Sequence, residues 1–176
     1  MVSNDNLIDA AKVISGLVRK FGLTEKPALQ QAPASIDILD LYYNLVKDGE
    51  LRKHTEKRFI NGHYQDAVLE AFKYLNNYVK LRVRSTAADG ASLMKEAFSA
   101  KSPILKLNDL LTESDKDEQL GYMEIFSGAM TGVRNPRAHE NDFDNDPFIA
   151  VRLLGLADHL LQRAQQAKRA KRKRRS

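Results

Sequence analysis

The sequence predicts an all-α protein, a bundle of six or seven helices. Apolar residues recur at spacings of three and four along most of the 176 residues, which is the period of amphipathic helices. Glycine, proline, asparagine and serine interrupt this pattern where helices would begin or end. The one weakly alternating run, residues 102–108, is interpreted as an irregular loop packed by its leucines, because an isolated strand would contribute little stability.

Two helices are predicted in the first part of the chain. The first spans residues 4–21 and ends at Gly22, and the second spans residues 36–46 with Ser35 as its N-cap. The segment between them contains two prolines and is predicted to be a linker. Residues 1–48 are therefore interpreted as a helical N-terminal extension.

A longer helical pattern fills residues 50–84, with a joint at Asn61-Gly62. After the joint one continuous stripe marks the buried face of a long helix: Tyr64, Val68, Ala71, Phe72, Leu75, Val79 and Arg82. A short helix follows, for which Asp89 is the predicted cap. Its apolar residues are Leu93, Met94, Ala97 and Phe98.

The helix that leads to residue 134 has an unusual composition on one face. Ser114 and Asp115 are its predicted caps, and its core stripe is Leu120, Met123, Phe126, Met130 and Val133. The remaining face carries only small residues: Ser127, Gly128, Ala129, Thr131 and Gly132. A glycine inside a helix costs about 1 kcal/mol relative to alanine, so we expect this face to contact another helix closely. Packing on the long helix of the same chain is the favoured interpretation, and a helix crossing at a dimer interface is the alternative.

The last helix is predicted to begin at Pro147, since proline suits the first turn of a helix. It extends to about residue 166 with the apolar residues Ile149, Leu153, Leu156, Leu160 and Leu161. Residues 49–167 form one predicted helical domain, and residues 168–176 form a disordered basic tail.

The tail accounts for the basic character of the chain. The net charge is +5, but seven lysines and arginines lie between residues 168 and 175, and the rest of the chain has 21 basic and 23 acidic residues. Such a run is either a solvated end or an arm that binds phosphates without sequence preference.

Several classes of function are excluded by composition. The chain has no cysteine, so a disulfide framework, a thiolate nucleophile and a thiolate zinc site are impossible. No phosphate loop, dinucleotide fingerprint or nucleophile elbow is present. The alternating carboxylates Asp142, Asp144 and Asp146 lack the glycine and terminal glutamate of a calcium loop, so no metal or other cofactor is expected. No apolar run of membrane-spanning length occurs, and the predicted location is the cytoplasm.

The segment from residue 134 to residue 140 concentrates groups that suit metal-free RNA cleavage. Proline ends a helix at or before the preceding residue, so Arg134 and His139 are expected at a helix end and in the turn after it. Histidine titrates near neutral pH and can move the protons of the reaction. Arginine offers a planar fork of donors that matches phosphate oxygens, and Asn135 adds a further hydrogen-bonding group.

Two strings of sequence carry a family resemblance. They are FSGAMTGVRNPRAHE, at residues 126–140, and GHYQDAVLEAFK, at residues 62–73. Together they resemble the Ymh-type family of uncharacterised bacterial and phage proteins over about residues 51–163. The arginine, the adjacent polar residue and the histidine after four intervening positions are similar to the R-x4-6-H motif of the HEPN superfamily. Members are small α-helical domains, many of them metal-independent endoribonucleases of toxin–antitoxin, phage-defence and CRISPR systems.

The resemblance implies a role for each matching residue. Arg134 would contact the phosphate, His139 would act as general base or acid, and Asn135 would assist them. Two protomers would build one composite site, with RNA as substrate and a possible antitoxin or defence-system protein as partner. The residues that the resemblance suggests for substrate binding are Arg137, Glu140, Glu70 and Lys73. Residue 141 is asparagine, whereas members modified by a partner nucleotidyltransferase carry tyrosine there.

Two other readings of the same residues remain open. Arg134 and Arg137 would pin the turn if they paired with Glu140 and Asp142, and His139 would then be a capping side chain. The alternative function is a nonenzymatic helical module that dimerises and binds a protein or a nucleic acid.

Overall fold

A computed structural model describes residues 37–84, 88–139 and 145–170, together with Gly16 and Lys20, which are helical. The chain divides into two compact units, Met1–Ile36 and Asp37–Ser176. Apart from two positions, the predicted helix at residues 4–21 and the linker after it lie outside the described residues.

Most of the described residues of the second unit are helical, so the prediction of an all-α fold is confirmed. Its elements in chain order are α1 (Ile38–Leu45), α2 (Gly49–Ile60), α3 (Tyr64–Val83), α4 (Gly90–Ala97), β1 (Leu105–Lys106), α5 (Glu113–Ala129), a π-helical segment (Met130–Arg134), α6 (Asn135–His139), α7 (Pro147–Gln166) and β2 (Lys168–Arg169). In the part of the chain that the structure describes, none of the helices is long and apolar enough to span a bilayer.

Helix α3 is the centre of the bundle, with α2, α4 and α7 packed around it. Its predicted stripe is confirmed at Val68, Ala71, Phe72, Leu75 and Val79, which have no exposed surface, while Tyr64 and Arg82 at its two ends are partly buried. Complete burial of a large apolar side chain stabilises a fold by about 1.5–3 kcal/mol. This helix therefore provides the rigid support on which the later elements are placed.

Helix α1 belongs to the same core, although the sequence interpretation assigned it to the N-terminal extension. Tyr42 is fully buried, stacks on Phe59 at 4.6 Å between ring centroids, and places its hydroxyl 2.7 Å from Thr55 Oγ1. The unit boundary accordingly precedes α1, at Ile36, rather than following it at residue 48.

The predicted apolar face of helix α7 is right at Leu160 and Leu161 and wrong in its first half. Ile149, Leu153 and Leu156 are only partly buried, and the inner face is Ala150, Val151, Leu154, Ala157, Leu160, Leu161 and Ala164. The reason is close approach: α7 contacts both α1 and α3, and a Cβ added at Gly155 would lie 3.4 Å from Leu45 Cβ.

Helix α5 begins and packs differently from the prediction. Its N-cap is Thr112, which forms a capping box with Asp115. Leu120 is 40% exposed, and the buried position beside it is Gln119. The Gln119 side-chain amide donates to the carbonyls of Phe98 and Leu105 at 2.9 and 3.1 Å, which fixes the α4–α5 connection.

A two-stranded antiparallel sheet joins that connection to the end of the chain. Leu105 is opposite Arg169 and Lys106 is opposite Lys168, and the Ala170 N–H donates to the Ile104 carbonyl at 2.9 Å. The loop predicted at residues 102–108 thus contains a strand, and the first two residues of the predicted disordered tail are ordered. The ladder forms because Leu105 is anchored in the core.

Candidate functional site

The helix does not end before Pro136, so the predicted break is wrong. Helix α5 continues through the π-helical segment into α6, and the Asn135 N–H donates to the carbonyl of Met130, five residues back. A proline lacks the donor of an α-helical bond and its ring clashes with the carbonyl four residues earlier, here that of Gly132. The wider π turn accommodates both the missing N–H donor and the bulk of the proline ring. Such π turns occur often at functional sites.

Arg134 is the last residue of this π segment. Its side chain is 24% exposed and contacts two groups. Nη1 donates to Asn135 Oδ1 at 3.1 Å, and Nη2 lies 3.6 Å from Asp89 Oδ2, an ion-pair distance that is too long for a hydrogen bond. Nε is buried and has no acceptor among the described residues. The guanidinium therefore has donor capacity that the described residues do not use.

Asp89 is held from its other side by a buried asparagine. Asn76 Nδ2 donates to Asp89 Oδ1 at 2.8 Å, and Asn76 Oδ1 accepts the Gly90 N–H at 2.9 Å. Lys80 Nζ approaches the same carboxylate oxygen at 3.4 Å. The Asn76 hydrogen bond first, and then Lys80 and Arg134, lower the pKa of Asp89 below its ordinary value, so it is ionised at neutral pH.

The predicted capping role of Asp89 is thus only partly right. Asp89 occupies the N-cap position of α4, but its side chain makes no capping hydrogen bond. Neither Asp89 nor Asn76 was identified as part of the site from the sequence. The available signal was Asn76 itself, a polar residue on the apolar stripe between Phe72 and Val79.

Arg137 was predicted to bind substrate, but two of its N–H groups donate to other residues of the chain. Nε donates to Gln65 Oε1 in the first turn of α3 at 2.7 Å, and Nη1 donates to the Val133 carbonyl at 3.1 Å. Burial lowers the pKa of this guanidinium, which stays charged at any physiological pH. These contacts fix α6 against α3.

His139, the last residue of α6, is exposed. Among the described residues it has no hydrogen-bond or ion-pair partner, and the adjacent Glu140 is outside them. In the described part of the chain, no contact joins Arg134 and His139.

The remaining predicted site residues lie on α3. Glu70 and Lys73 form an ion pair with each other at 2.9 Å, both partly exposed. The alternative pairing of Arg134 and Arg137 with Glu140 and Asp142 involves residues outside the described ones, and the ion-pair partner of Arg134 in the structure is Asp89.

The structure also bears on the metal hypothesis. Within residues 37–84, 88–139 and 145–170, no group of three or more histidines and carboxylates is arranged to hold a metal ion. Asp146 caps α7, since its Oδ1 accepts the Phe148 N–H at 2.6 Å. Asp142 and Asp144 are outside the described residues.

Gly128 and Gly132, which precede the site, are exposed. The favoured prediction that they pack on the long helix of the same chain is therefore wrong at these two positions. A Cβ added at Gly128 or Gly132 would meet no atom within 4 Å. Ile125, one turn before Gly128, is 47% exposed, whereas Ser127 and Ala129 on the other side of the helix are buried. A stripe of small and apolar residues thus runs along the outside of α5 toward the π segment.

The fold and the site together define an all-α protein with an arginine-centred polar cluster at a π turn. The chain belongs to the Hypoth_ymh family, described as a protein of unknown function, whose model matches residues 47–164. This match contains every predicted site residue. No curated protein and no solved structure matches the chain.

Proposed function

We propose that this protein is a HEPN-type, metal-independent endoribonuclease of a bacterial defence or toxin module, acting in the cytoplasm. The observation that supports this most directly is that the guanidinium of Arg134 has N–H groups without an acceptor among the described residues. The Arg134 side chain is 24% exposed, and its Nη2 makes no hydrogen bond to a described residue, so this end of the guanidinium is suited to an anionic ligand, because an arginine fork matches the oxygens of a phosphate. The resemblance of residues 134–139 to the R-x4-6-H motif specifies that anion as an RNA phosphate.

The chemistry assigns complementary roles to the two principal residues. A base removes the proton of the 2′-hydroxyl, whose oxygen then bonds to phosphorus while the bond from phosphorus to the 5′-oxygen breaks. An acid supplies a proton to that leaving oxygen, so the products carry a 2′,3′-cyclic phosphate and a 5′-hydroxyl. His139 serves these proton transfers, since histidine titrates near neutral pH. Arg134 stabilises the charge that develops on the phosphate, and Asn135 holds its Nη1.

A composite site between two protomers would supply what one chain lacks. No contact joins Arg134 and His139 of one chain among the described residues, and the reaction requires one group that accepts a proton and another that donates one. In a two-fold dimer each protomer presents the same patch to the other, so a second His139 enters without additional sequence. The exposed stripe of Ile125, Gly128 and Gly132 would let two such helices approach closely.

The direct test is cleavage of total RNA by purified protein in the presence of EDTA. We expect wild-type protein to cut, and His139→Ala to lose at least about 100-fold in rate, because general acid–base catalysis contributes at least that much. His54→Ala is the matched control: His54 is also exposed on a helix, but stacks on Tyr74. It should cut like wild type.

Two outcomes would contradict the proposed function. One is activity that EDTA abolishes and magnesium or manganese restores. The other is RNA or protein binding without cleavage under any condition, unchanged in His139→Ala, which would instead support the nonenzymatic binding module. End-group analysis of the products supplies a further check, since a 3′-hydroxyl end is incompatible with attack by the 2′-oxygen.

A further inference from the structure

We infer that Asp89 is a positioning residue, which holds the guanidinium of Arg134 in a fixed orientation while leaving its donors available to a phosphate. The inference deepens the proposed function and depends on it for the identity of the ligand. Neither the motif nor the family match assigns a role to Asp89, which lies 45 positions before Arg134.

The position of Asp89 is determined independently of Arg134. Asn76, which is 3% exposed, donates to Asp89 Oδ1 and accepts from the N–H of Gly90, so one buried amide holds both the carboxylate and the backbone that follows it. Asn76 lies on the central helix α3, against which α2, α4 and α7 pack. The carboxylate is therefore a fixed charge and not a flexible side chain that follows the arginine.

The distance between Asp89 and Arg134 distinguishes orientation from neutralisation. A carboxylate that neutralises arginine typically accepts two parallel hydrogen bonds at 2.7–2.9 Å and occupies the donors. Here Oδ2 lies 3.6 Å from Nη2, so the charges attract but no donor is taken up. Asn135 holds Nη1 at 3.1 Å on the other side. One ion pair and one hydrogen bond thus restrict the guanidinium, and among the described residues Nε has no acceptor.

Lys80 keeps the cluster attractive to an anion. Its Nζ lies 3.4 Å from Asp89 Oδ1, so one carboxylate stands between two cations, and the three groups together carry one net positive charge. If the carboxylate neutralised a single cation, the cluster would have no net positive charge and would not attract a phosphate. Removal of the Asp89 charge would leave two cations that repel each other, and Arg134 would lose its orientation.

An unpartnered buried Nε is not sufficient by itself to define such a site. Arg163 also has one, but its Nη2 bonds Glu118 Oε1 at 2.5 Å and its guanidinium stacks over the Tyr122 ring at 4.6 Å. Its fork is therefore occupied. Arg134 differs because its carboxylate partner is beyond hydrogen-bond distance.

Asp89→Asn tests the inference with little structural change, because the new amide oxygen can still accept from Asn76. We expect kcat for RNA cleavage to fall about tenfold with KM changed less than about twofold, since misorientation affects the transition state more than binding. Asp109→Asn is the matched control: Asp109 pairs with Lys168 at the same 3.4 Å that separates Asp89 from Lys80. Asp89→Ser, which keeps an N-cap residue, replaces Asp89→Asn if that variant is unfolded.

A second measurement does not depend on activity. The Arg134 Nε–Hε signal in ¹⁵N NMR, identified by its absence in Arg134→Ala, should show a rigid side chain in wild type and in Asp109→Asn. In Asp89→Asn it should show increased fast motion. If wild-type protein cuts no RNA, the proposed function fails and this signal alone decides the role of Asp89. An unchanged signal, or a variant that cleaves faster than wild type because a competitor was removed, would overturn the inference.

Discussion

Two arginine-centred regions of this protein use the same side chain in opposite ways. At the end of α7, Arg82 donates to the backbone carbonyls of Ala164, Gln165 and Ala167. At the π turn, Arg134 has one hydrogen bond to a neighbouring side chain and a distant carboxylate. The last carbonyls of a helix lack partners within it, so Arg82 satisfies acceptors that the fold itself creates. No equivalent acceptor is supplied to Nε of Arg134.

This difference separates a structural arginine from a candidate functional one. Both residues are partly buried, both follow an apolar stripe on a helix, and their side-chain chemistry is identical. They differ in the number and kind of acceptors that their guanidinium N–H groups reach. The first test of the comparison is therefore to remove each arginine and ask whether stability or activity responds.

The largest effect is expected from Arg134→Ala. Loss of a fixed cation beside the reacting phosphate should lower kcat about 100- to 1,000-fold, because a single preorganised donor contributes about that factor. The free energy of unfolding should change by less than about 1 kcal/mol, since the ion pair with Asp89 is partly exposed. Cleavage rates on a fluorescent RNA and a urea titration measure the two quantities. A large fall in the free energy of unfolding would show that Arg134 has a structural role like that of Arg82.

Arg82→Ala should show the reverse behaviour. Hydrogen bonds to a charged group contribute about 1.5–3 kcal/mol each, but they are not additive, so we expect a loss of about 2–3 kcal/mol in the free energy of unfolding. The cleavage rate per folded molecule should stay within about twofold of wild type. Circular dichroism in urea provides the measurement, and a selective loss of cleavage without destabilisation would contradict the comparison.

A bulky residue at Gly128 tests whether the exposed stripe beside Arg134 holds two protomers together. Gly128→Trp should weaken the dimer at least about tenfold in sedimentation and lower cleavage in parallel, while the helical signal persists. Gly49→Trp is the matched control, because a Cβ at either glycine meets nothing within 4 Å. Mixed Arg134→Ala and His139→Ala subunits should regain some activity. A monomer that still cuts RNA would refute the composite site.

The smallest effect is expected from the basic tail, whose first residues Lys168 and Arg169 directly follow the carbonyls that Arg82 binds. Lys168 and Arg169 are part of β2, so deletion of residues 171–176 removes five charges and keeps the sheet. The slope of log K against log salt for single-stranded RNA should fall by up to about 3, and affinity at low salt by about tenfold, with kcat unchanged. An unaltered slope would leave the tail without a role in RNA binding.

The fold was largely predictable and the site only in part. The stripe of α3 and the proline at the start of α7 were read correctly, because helical periodicity and end signals are local. The break at Pro136 was wrong, because a π turn is a local rearrangement that helix rules do not include. The in-chain packing of Gly128 was wrong as well, since a glycine is equally compatible with a crowded face and an open one.

The sequence by itself determined the helical class, the position of the arginine–histidine motif and the family, because each depends on residues close together in the chain. The tertiary structure alone decided which arginine has acceptors for its N–H groups. Arg82 finds its carbonyls more than 80 residues away, and Arg134 meets Asp89 only because Asn76 holds that carboxylate against α3. Such contacts depend on how helices pack in space, and no spacing along the chain encodes them.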